Sequence, residues 1–295
     1  MHESSEELGP SLAWARSVRQ PARGPLGPWQ WPETAEALAE QQLALAAAAD
    51  EALANDPWLF GPGREPAPLL GGCFVAFAWG EAGPGHVGDR AWVAAVTWRP
   101  PAGGPTHLGR RSDRALVGSG PGGPRHARDV DEQAVITGIT GAAYLPGLLA
   151  LREGPLLTAA VSALHCRPEL LLVDATGRDH ARRAGMAVHL GAVTGIPTVG
   201  VTHRPLLAQG APPRPERGAT SSRTIAGAEV GRWVCTRTDA RPVVAHAGWR
   251  TDSATAAAVV LAASTDAART AVPLGEARRV AREARAIAEG RAPRH

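Results

Sequence analysis

The sequence predicts an α/β fold built on a mixed sheet with flanking helices. The strongest observation is the run Leu170–Val173, which is short and wholly apolar, as is typical of a strand buried on both faces between parallel neighbours. Helical periodicity follows over residues 181–193. Gly195 and Pro197 end that helix, and a second apolar strand follows at 198–202. Together these segments form a βαβ unit, which predicts a sheet with a parallel centre.

The segments before this unit predict the other half of the sheet. Residues 72–79 and 90–98 alternate apolar side chains around Gly- and Pro-rich turns, which indicates an antiparallel hairpin. A third strand is predicted at 135–139. The remaining predicted elements are helices at 33–55, 144–164, 253–263 and 274–289 and strands at 232–237 and 242–246.

We expect a single domain at 33–290 behind an irregular N-terminal arm at 1–32. A chain of 295 residues with 44% hydrophobic content is long enough for one sizeable α/β domain with long decorations, or for two small domains. Pro, Gly and Arg dominate residues 99–130 and 205–228, so both are predicted as long surface loops.

Composition indicates the cellular compartment of the chain and limits the classes of partner that it can bind. All 31 basic side chains are arginine, and the net charge of +3 is too mild to indicate nucleic acid without a cluster. Cys73, Cys166 and Cys235 lie apart in apolar segments, which predicts buried thiols in a reducing compartment. The N-terminus lacks the basic start and apolar core of a secretory signal, and no apolar run is long enough to span a membrane. We therefore expect a cytoplasmic chain without a membrane partner.

Two ionisable residues directly follow the two strands of the βαβ unit. Asp174 comes after the first strand and His203 after the second. Open α/β sheets bind ligands outside the carboxyl ends of their strands. The sequence therefore predicts a functional site at this edge of the sheet.

A family resemblance extends over much of the chain. A hairpin-led set of three strands, followed by helix, strand, helix and strand, is the order of ribonuclease H-like nuclease folds. Within that order, YLPGLLALRE, LLLVDATGRDHARRAGMAVHLG and IPTVGV resemble Endonuclease V, a family that cuts DNA or RNA near deaminated purines. Further matching positions are Gln41–Gln42, GGCFVAF in the first strand, Arg152–Glu153, His180, Arg182–Arg183 and Gly248–Arg250. The resemblance implies a ribonuclease H-like mixed sheet with flanking helices.

The resemblance also implies a Mg²⁺ centre held by carboxylates, because Mg²⁺ prefers hard oxygen ligands and shares them with a substrate phosphate. Two of the carboxylates expected from the family are present as Glu153 and Asp174, but the one expected in the first strand is Phe74. The family's histidine in the late turn is Trp249, and its lysine after the Gly-Val strand is His203. Losing one member of a catalytic set commonly costs several orders of magnitude in rate. We therefore expect no nuclease metal site, with at most a weakly held single Mg²⁺ on the two remaining carboxylates.

The hypothesis for this edge is a remodelled, metal-free pocket in which Glu153, Asp174 and His203 carry catalysis. Aromatic faces beside carboxylates favour an amine, and arginines favour a phosphate or sulfate group. This suits a displacement or elimination on a small amine-bearing substrate in secondary metabolism, such as antibiotic biosynthesis. The predicted substrate-binding residues are Tyr144, Phe74, His180, Arg182, Arg204, Trp249 and Arg250.

Two other classes stay open at this point. One is a residual nuclease or binder of inosine-containing DNA or RNA, and the other is a non-catalytic subunit that works with a second protein. A purely structural interpretation also remains, in which Glu153 is a solvated residue, Asp174 caps a loop, and Phe74 and Trp249 fill a dead site.

Overall fold

The computed structural model describes residues 28–61, 67–79, 85–100, 130–265 and 268–291. The strands are β1 (Leu70–Phe77), β2 (Arg90–Trp98), β3 (Glu132–Ile139), β4 (Leu170–Val173), β5 (Thr198–Thr202), β6 (Thr220–Ile225), β7 (Ala228–Val234) and β8 (Val243–Ala247). The helices are α1 (Ala35–Asn55), α2 (Leu149–Ser162), α3 (Met186–Thr194), α4 (Ser253–Ala262) and α5 (Val272–Ala288).

All eight strands join one mixed sheet in the order β3-β2-β1-β4-β5-β8-β7-β6. β4 pairs in parallel with β1 on one side and with β5 on the other, and the remaining neighbours are antiparallel. All four β4 side chains are buried, as expected for a strand covered on both faces. The predicted mixed sheet with a parallel centre is therefore confirmed, as is the hairpin of β1 and β2.

Helices cover both faces of the sheet, and strand alternation assigns each side chain to one of them. Helices α1, α2 and α3 pack on one face, here called the α2 face, and α4 and α5 pack on the other, the α5 face. In β1, Cys73 and Val75 join the core under α2, whereas Phe74 and Ala76 pack against α5. Successive strand residues point to opposite faces, which explains this separation.

The predicted loop at 205–228 is wrong in its second half, which contains β6. The strand sequence TSSRTI has no apolar alternation, because β6 is the edge of the sheet and its side chains are largely exposed or half-buried. A tight turn at Ala226 and Gly227, with φ of 49° and 81°, joins it to β7. The other predicted loop lies largely outside the described residues, which omit 101–129, and so does the predicted arm over residues 1–27.

Two smaller expectations also need correction. Helix α3 begins at Met186 and not at residue 181, because Arg183 has φ of 60°, in the left-handed region, which no helix can continue through. Cys73 and Cys235 are buried as expected, but Cys166 is exposed. Over the described ranges, no helix combines the length and the apolar character that crossing a bilayer requires.

Candidate functional site

The carboxyl ends of β4 and β5 bring Asp174 and His203 to the same edge of the sheet. The two strands are parallel neighbours, with Val173 opposite Gly200, so both chain ends point the same way. His203 is an exposed residue whose partial desolvation lowers its pKa; the positive charges of Arg269 and Arg278 lower it further, and the charge of Asp174 partly opposes them. At neutral pH the imidazole is therefore mainly uncharged. The structure thus brings these two predicted residues to the same edge of the sheet.

An arginine from α5 binds the carboxylate of Asp174. Arg278 Nη2 donates to Asp174 Oδ2 at 2.7 Å, and both side chains are largely but not fully buried, with 23% and 28% of their surface exposed. The Arg278 guanidinium also lies over the Phe74 ring, 5.1 Å from its centroid, and Arg282 lies over the same ring at 5.6 Å. Phe74 thus contributes to this edge as a platform for guanidinium groups.

Glu153 reaches the same edge from the α2 face. Desolvation raises the pKa of Glu153 to about 7; the neighbouring Arg152 lowers it in part, and the negative charge of Asp174 raises it. Burial also raises the pKa of the Cys73 thiol, and the charges of Asp174 and Glu153 add to that rise. Cys73, Glu153 and Asp174 therefore meet at the junction of β1, α2 and β4, with the thiol kept protonated.

The structure does not place Phe74 in a pocket beside Glu153. Because side chains alternate along β1, Cys73 is the residue that faces Glu153, and Phe74 lies on the α5 face with Ala277 and Val280. Arg278 contacts both Asp174 and Phe74 from the α5 face, whereas Glu153 approaches from the α2 face. The predicted aromatic lining next to Glu153 is corrected accordingly.

Trp249 and Arg250 lie at the opposite end of the sheet from Asp174. The Trp249 backbone N–H donates to Thr198 Oγ1 at 2.9 Å, and Thr198 is the first residue of β5. Arg250 Nη2 pairs with Asp56 Oδ2 at 2.6 Å, next to the end of α1. The prediction that Trp249 converges with the carboxylates is wrong, because β8 runs antiparallel to β5 and ends where β5 begins.

Three of the other predicted residues form a second group, called here the rim cluster: Tyr144, His180 and Arg182. The Arg182 guanidinium donates to Gln42 Oε1 at 2.9 Å, and Gln42 Nε2 donates to the Gly147 carbonyl at 3.4 Å, in the turn that Tyr144 opens. Burial lowers the pKa of His180, which lies against the same Gly147. Tyr144 is 41% exposed.

Arg204 and Arg152 have simpler surroundings. Arg204 is exposed directly after His203, and its carbonyl accepts a hydrogen bond from Thr202 Oγ1 at 2.7 Å. Arg152 is buried in an ion pair with Asp89 at 2.6 Å and also donates to the His86 and Ala142 carbonyls. Arg152 therefore ties loops together and does not face a ligand.

Sequence reasoning missed Arg278, Arg269 and a buried aspartate, Asp179. The Asp179 carboxylate accepts three backbone N–H groups, from Leu206 at 2.9 Å and from Leu207 and Ala208 at 2.8 Å. It thereby fixes the segment after His203. The only signal for Asp179 was its place in the loop after Asp174. Arg278 had the signal of an arginine on the inner side of an amphipathic helix.

The carboxylates at this edge fit poorly to the Mg²⁺ centre that the family resemblance implies. Within the described ranges, no group of three or more His, Cys, Asp or Glu residues is arranged to hold a metal ion. One Asp174 oxygen is already bound by a guanidinium, and the neighbour of Glu153 is a protonated thiol, whereas Mg²⁺ requires several hard oxygen ligands.

Comparison with known proteins adds an independent result. The family model described as Endonuclease V matches residues 125–279, which is more than half of the chain. The chain is 42% identical to Endonuclease V of Streptomyces coelicolor over 130 residues, which is 44% of this chain and 56% of the relative. The match to Endonuclease V of Streptomyces avermitilis is 40% over 134 residues, covering 45% and 58%. These alignments span little more than half the length of the relatives.

Solved structures match over a longer span. The crystal structure of Streptomyces avermitilis Endonuclease V has 29% identity and a TM-score of 0.67, covering 88% of this chain and 96% of that one. The catalytic domain of human Endonuclease V (23% identity, TM-score 0.65, 88% and 99% covered) shares the fold. So does Ciona intestinalis Endonuclease V bound to a 24mer DNA containing an inosine followed by a ribo-adenosine (16% identity, TM-score 0.60, 85% and 98% covered). The predicted ribonuclease H-like fold is thus confirmed, and the chain belongs to the Endonuclease V family.

Proposed function

We propose that this chain has lost the nuclease metal centre of its family and works as a metal-independent enzyme on a small amine-bearing substrate with a phosphate or sulfate leaving group. The observation that carries the proposal is the ion pair between Asp174 and Arg278. It puts a cation of the chain itself on the carboxylate that the family resemblance assigns to Mg²⁺.

The two faces of the sheet supply different chemistry at this edge. Glu153 approaches from the α2 face, and Arg278, with the nearby Arg269 and His203, lies on the α5 face. Asp174 lies between the two sides. A substrate held across the edge would present its amine to Glu153 and its anionic ester to the guanidinium groups, which match tetrahedral oxyanions by paired hydrogen bonds.

The proposed step is a displacement in which Glu153 is the general base. At neutral pH part of Glu153 is ionised, because its pKa is about 7, and it takes the proton of the substrate's ammonium group, which frees the nitrogen lone pair. The lone pair forms a bond to the carbon that carries the ester oxygen, and the bond between that carbon and the oxygen breaks. The bonding electrons leave with the phosphate or sulfate, whose charge the guanidinium groups stabilise. His203 is a second proton acceptor at the same edge.

The test is release of inorganic sulfate or phosphate from a panel of aminoalkyl esters in the presence of EDTA. We expect release by the unmodified chain and a loss of about 10²–10⁴-fold in Glu153→Gln, because a positioned general base contributes that much. Asp174→Asn should also lose activity, and the matched control Glu216→Gln, on an exposed loop, should not. Release that requires Mg²⁺, or that survives Glu153→Gln, would contradict the proposal.

A residual nuclease, or a binder of inosine-containing nucleic acid, is the second candidate. The rim cluster favours it, because Tyr144, His180 and Arg182 remain grouped around the Gly147 turn. The discriminating measurement is Mg²⁺- or Mn²⁺-dependent nicking of an inosine oligonucleotide. Nicking above the EDTA control would favour this candidate over the small-molecule enzyme.

We place the proposed reaction in secondary metabolism, antibiotic biosynthesis included. A second protein subunit is the remaining alternative, and it has its own test. If the purified chain is inactive on both esters and oligonucleotides, and an activity appears only with a copurified protein, a non-catalytic or partner-dependent role replaces the proposal.

A further inference from the structure

We propose that Phe74, Arg278 and Asp174 form a fixed unit in which the guanidinium takes the place of a divalent cation. In this unit Arg278, together with Arg269 and His203, forms a binding site for a tetrahedral oxyanion. The proposal rests on the proposed function only for the identity of that anion as a substrate's leaving group. The site itself follows from contacts on the α5 face.

Two contacts restrict the position of the Arg278 guanidinium. One of its N–H groups is bound to Asp174 Oδ2, and its plane lies over the Phe74 ring. Cation–π contact and a charge-assisted hydrogen bond together restrict the orientation of the guanidinium. A carboxylate at position 74 would not supply the ring contact. The aromatic ring at position 74 therefore helps to orient the arginine that pairs with Asp174.

The hydrogen bond to Asp174 uses only part of the donor capacity of Arg278. A guanidinium carries five N–H donors, and Asp174 is its acceptor among the described residues. Its Nε is buried without an acceptor among the described residues, and the side chain as a whole is 23% exposed. The proposed anion would accept from donors of Arg278 that Asp174 does not use. The planar fork of a guanidinium matches the geometry of phosphate-like oxyanions, so an arginine already oriented by an aspartate suits such a ligand.

More positive than negative side chains surround His203 on the α5 face. Arg269 and Arg278 both act on this imidazole as positive neighbours, against the single negative charge of Asp174. Arg269 is anchored from the other side, where Nη2 donates to the Pro242 carbonyl at 2.9 Å, just before β8. On the α5 face of this edge, two guanidinium groups thus face one carboxylate. That excess of positive charge favours a bound anion.

The test uses sulfate and Mn²⁺ as probes, without any substrate. Sulfate binding is measured by titration calorimetry at constant ionic strength for the unmodified chain and for Arg278→Met. We expect saturable binding that weakens at least about tenfold in Arg278→Met, since a bidentate donor is lost. Arg278→Lys should weaken it less, because the charge stays while the planar fork is lost. Phe74→Leu should also weaken it, because the ring contact is lost.

The matched control is Arg279→Met, the next residue of α5, which pairs with Glu276 and Glu283 on the surface and should leave sulfate binding unchanged. Mn²⁺ binding, measured by electron paramagnetic resonance, gives a reciprocal readout. We expect Arg278→Met to bind Mn²⁺ several-fold more tightly than the unmodified chain, because Asp174 loses its cation.

Three results would overturn the inference: no saturable sulfate binding, equal sulfate binding in Arg278→Met, or Mn²⁺ binding that Arg278→Met leaves unchanged. Far-ultraviolet circular dichroism shows that each variant is folded. Because no turnover is involved, the two proposals can fail separately. Sulfate binding without release from any ester would sink the proposed function alone, whereas ester release without saturable sulfate binding would sink the inference alone.

Discussion

Asp174 shows how one side chain acquires its role from its partners. The same carboxylate that could share a metal with a neighbouring aspartate here shares a guanidinium with a phenylalanine ring. Among the described residues no ion pair is formed by Glu153, close by, and desolvation raises its pKa although the charge of Arg152 partly opposes this. Two carboxyl groups near one edge thus differ in their surroundings, one in contact with a guanidinium and the other desolvated.

The raised pKa of Glu153 makes stability depend on pH with a definite sign. Between about pH 4.5 and 7 the folded chain binds more protons than the unfolded chain, because the pKa of Glu153 is higher in the fold. The contribution of Glu153 to the free energy of unfolding is therefore complete below pH 4.5 and is lost as the pH rises through 7. Glu153→Gln should therefore be more stable than the unmodified chain at pH 8 by about 1–3 kcal/mol, and nearly equal to it at pH 4.5.

Urea unfolding in EDTA at the two pH values measures this difference. Glu216→Gln, which removes an exposed carboxylate, is the control and should show no such pH-dependent gain. A Glu153→Gln variant that is less stable than the unmodified chain at pH 8 would mean that the carboxylate is well paired in the fold.

Asp179 holds the segment after His203 through three backbone N–H groups, and it is fully buried. Asp179→Asn keeps the shape but turns one acceptor into a donor that faces N–H groups. We expect a loss of about 2–4 kcal/mol in the free energy of unfolding, because buried donors lose a charged acceptor. Hydrogen exchange at Leu206–Ala208 should also speed up.

Asp239→Asn is the matched control, because Asp239 is exposed and its φ of 58° suits asparagine. It should change neither stability nor exchange at 206–208. Equal exchange rates in Asp179→Asn and the unmodified chain would show that the segment is held by other contacts.

At the scale of elements, helix α5 positions Arg278 only because it lies very close to β1. A Cβ on Gly72 would lie 2.4 Å from the Pro273 backbone, so only glycine permits this approach. Gly72→Ala should push the start of α5 away from the sheet. The expected cost is about 2–4 kcal/mol, together with weaker sulfate binding, since overpacking against backbone cannot relax by side-chain rotation.

Gly275→Ala, on α5 itself, is the control for this prediction. A Cβ there meets nothing within 4 Å, so alanine should raise stability by up to about 1 kcal/mol through helix propensity. Thermal unfolding of the two variants side by side measures the contrast. A Gly72→Ala variant as stable as Gly275→Ala would show that α5 shifts freely.

The elements differ in how far their sequences reveal them. β4 is predictable because its apolar run can be satisfied only by burial on both faces, whereas β6 is not, because an edge strand needs no apolar alternation. The start of α3 was misplaced by five residues, since the left-handed conformation of Arg183 is set by tertiary contacts.

The residues of the candidate site could be predicted only where the direction of the strands could be inferred from the sequence. Asp174 and His203 follow parallel strands, so their meeting could be inferred. Trp249 follows β8, whose antiparallel pairing to β5 cannot be deduced from its own residues, and the inference failed there. Arg278 lies 104 residues from Asp174 in the chain, and only packing of α5 on β1 brings them together.

At the scale of the whole molecule, side chains from both faces of the sheet come together at the edge formed by β1, β4 and β5. Cys73 and Glu153 belong to the α2 face, and Phe74 and Arg278 to the α5 face. A change at one strand position therefore acts on one face only. This separation bears on the proposal that the nuclease metal centre is lost, because it determines which substitutions could bring carboxylates together.

Phe74→Asp alone should not produce cleavage of an inosine oligonucleotide with Mg²⁺ or Mn²⁺. The new carboxylate would lie on the α5 face beside Arg278, which remains bound to Asp174, while Glu153 stays on the other side of β1. Two-metal catalysis needs bridging oxygens around ions about 4 Å apart, and a guanidinium between the carboxylates prevents that. Trp249, at the far end of the sheet, has no part in this block.

Gel-based nicking assays with Endonuclease V of Streptomyces coelicolor as the positive control measure the outcome. The double variant Phe74→Asp with Arg278→Met is the matched comparison, because it removes the resident cation as well. We expect it to bind Mn²⁺ more tightly than Phe74→Asp does, since two carboxylates then face one another without a counter-charge. Cleavage by the single variant would show that Arg278 yields its place to a metal, and the chain would then retain the catalytic layout of its family.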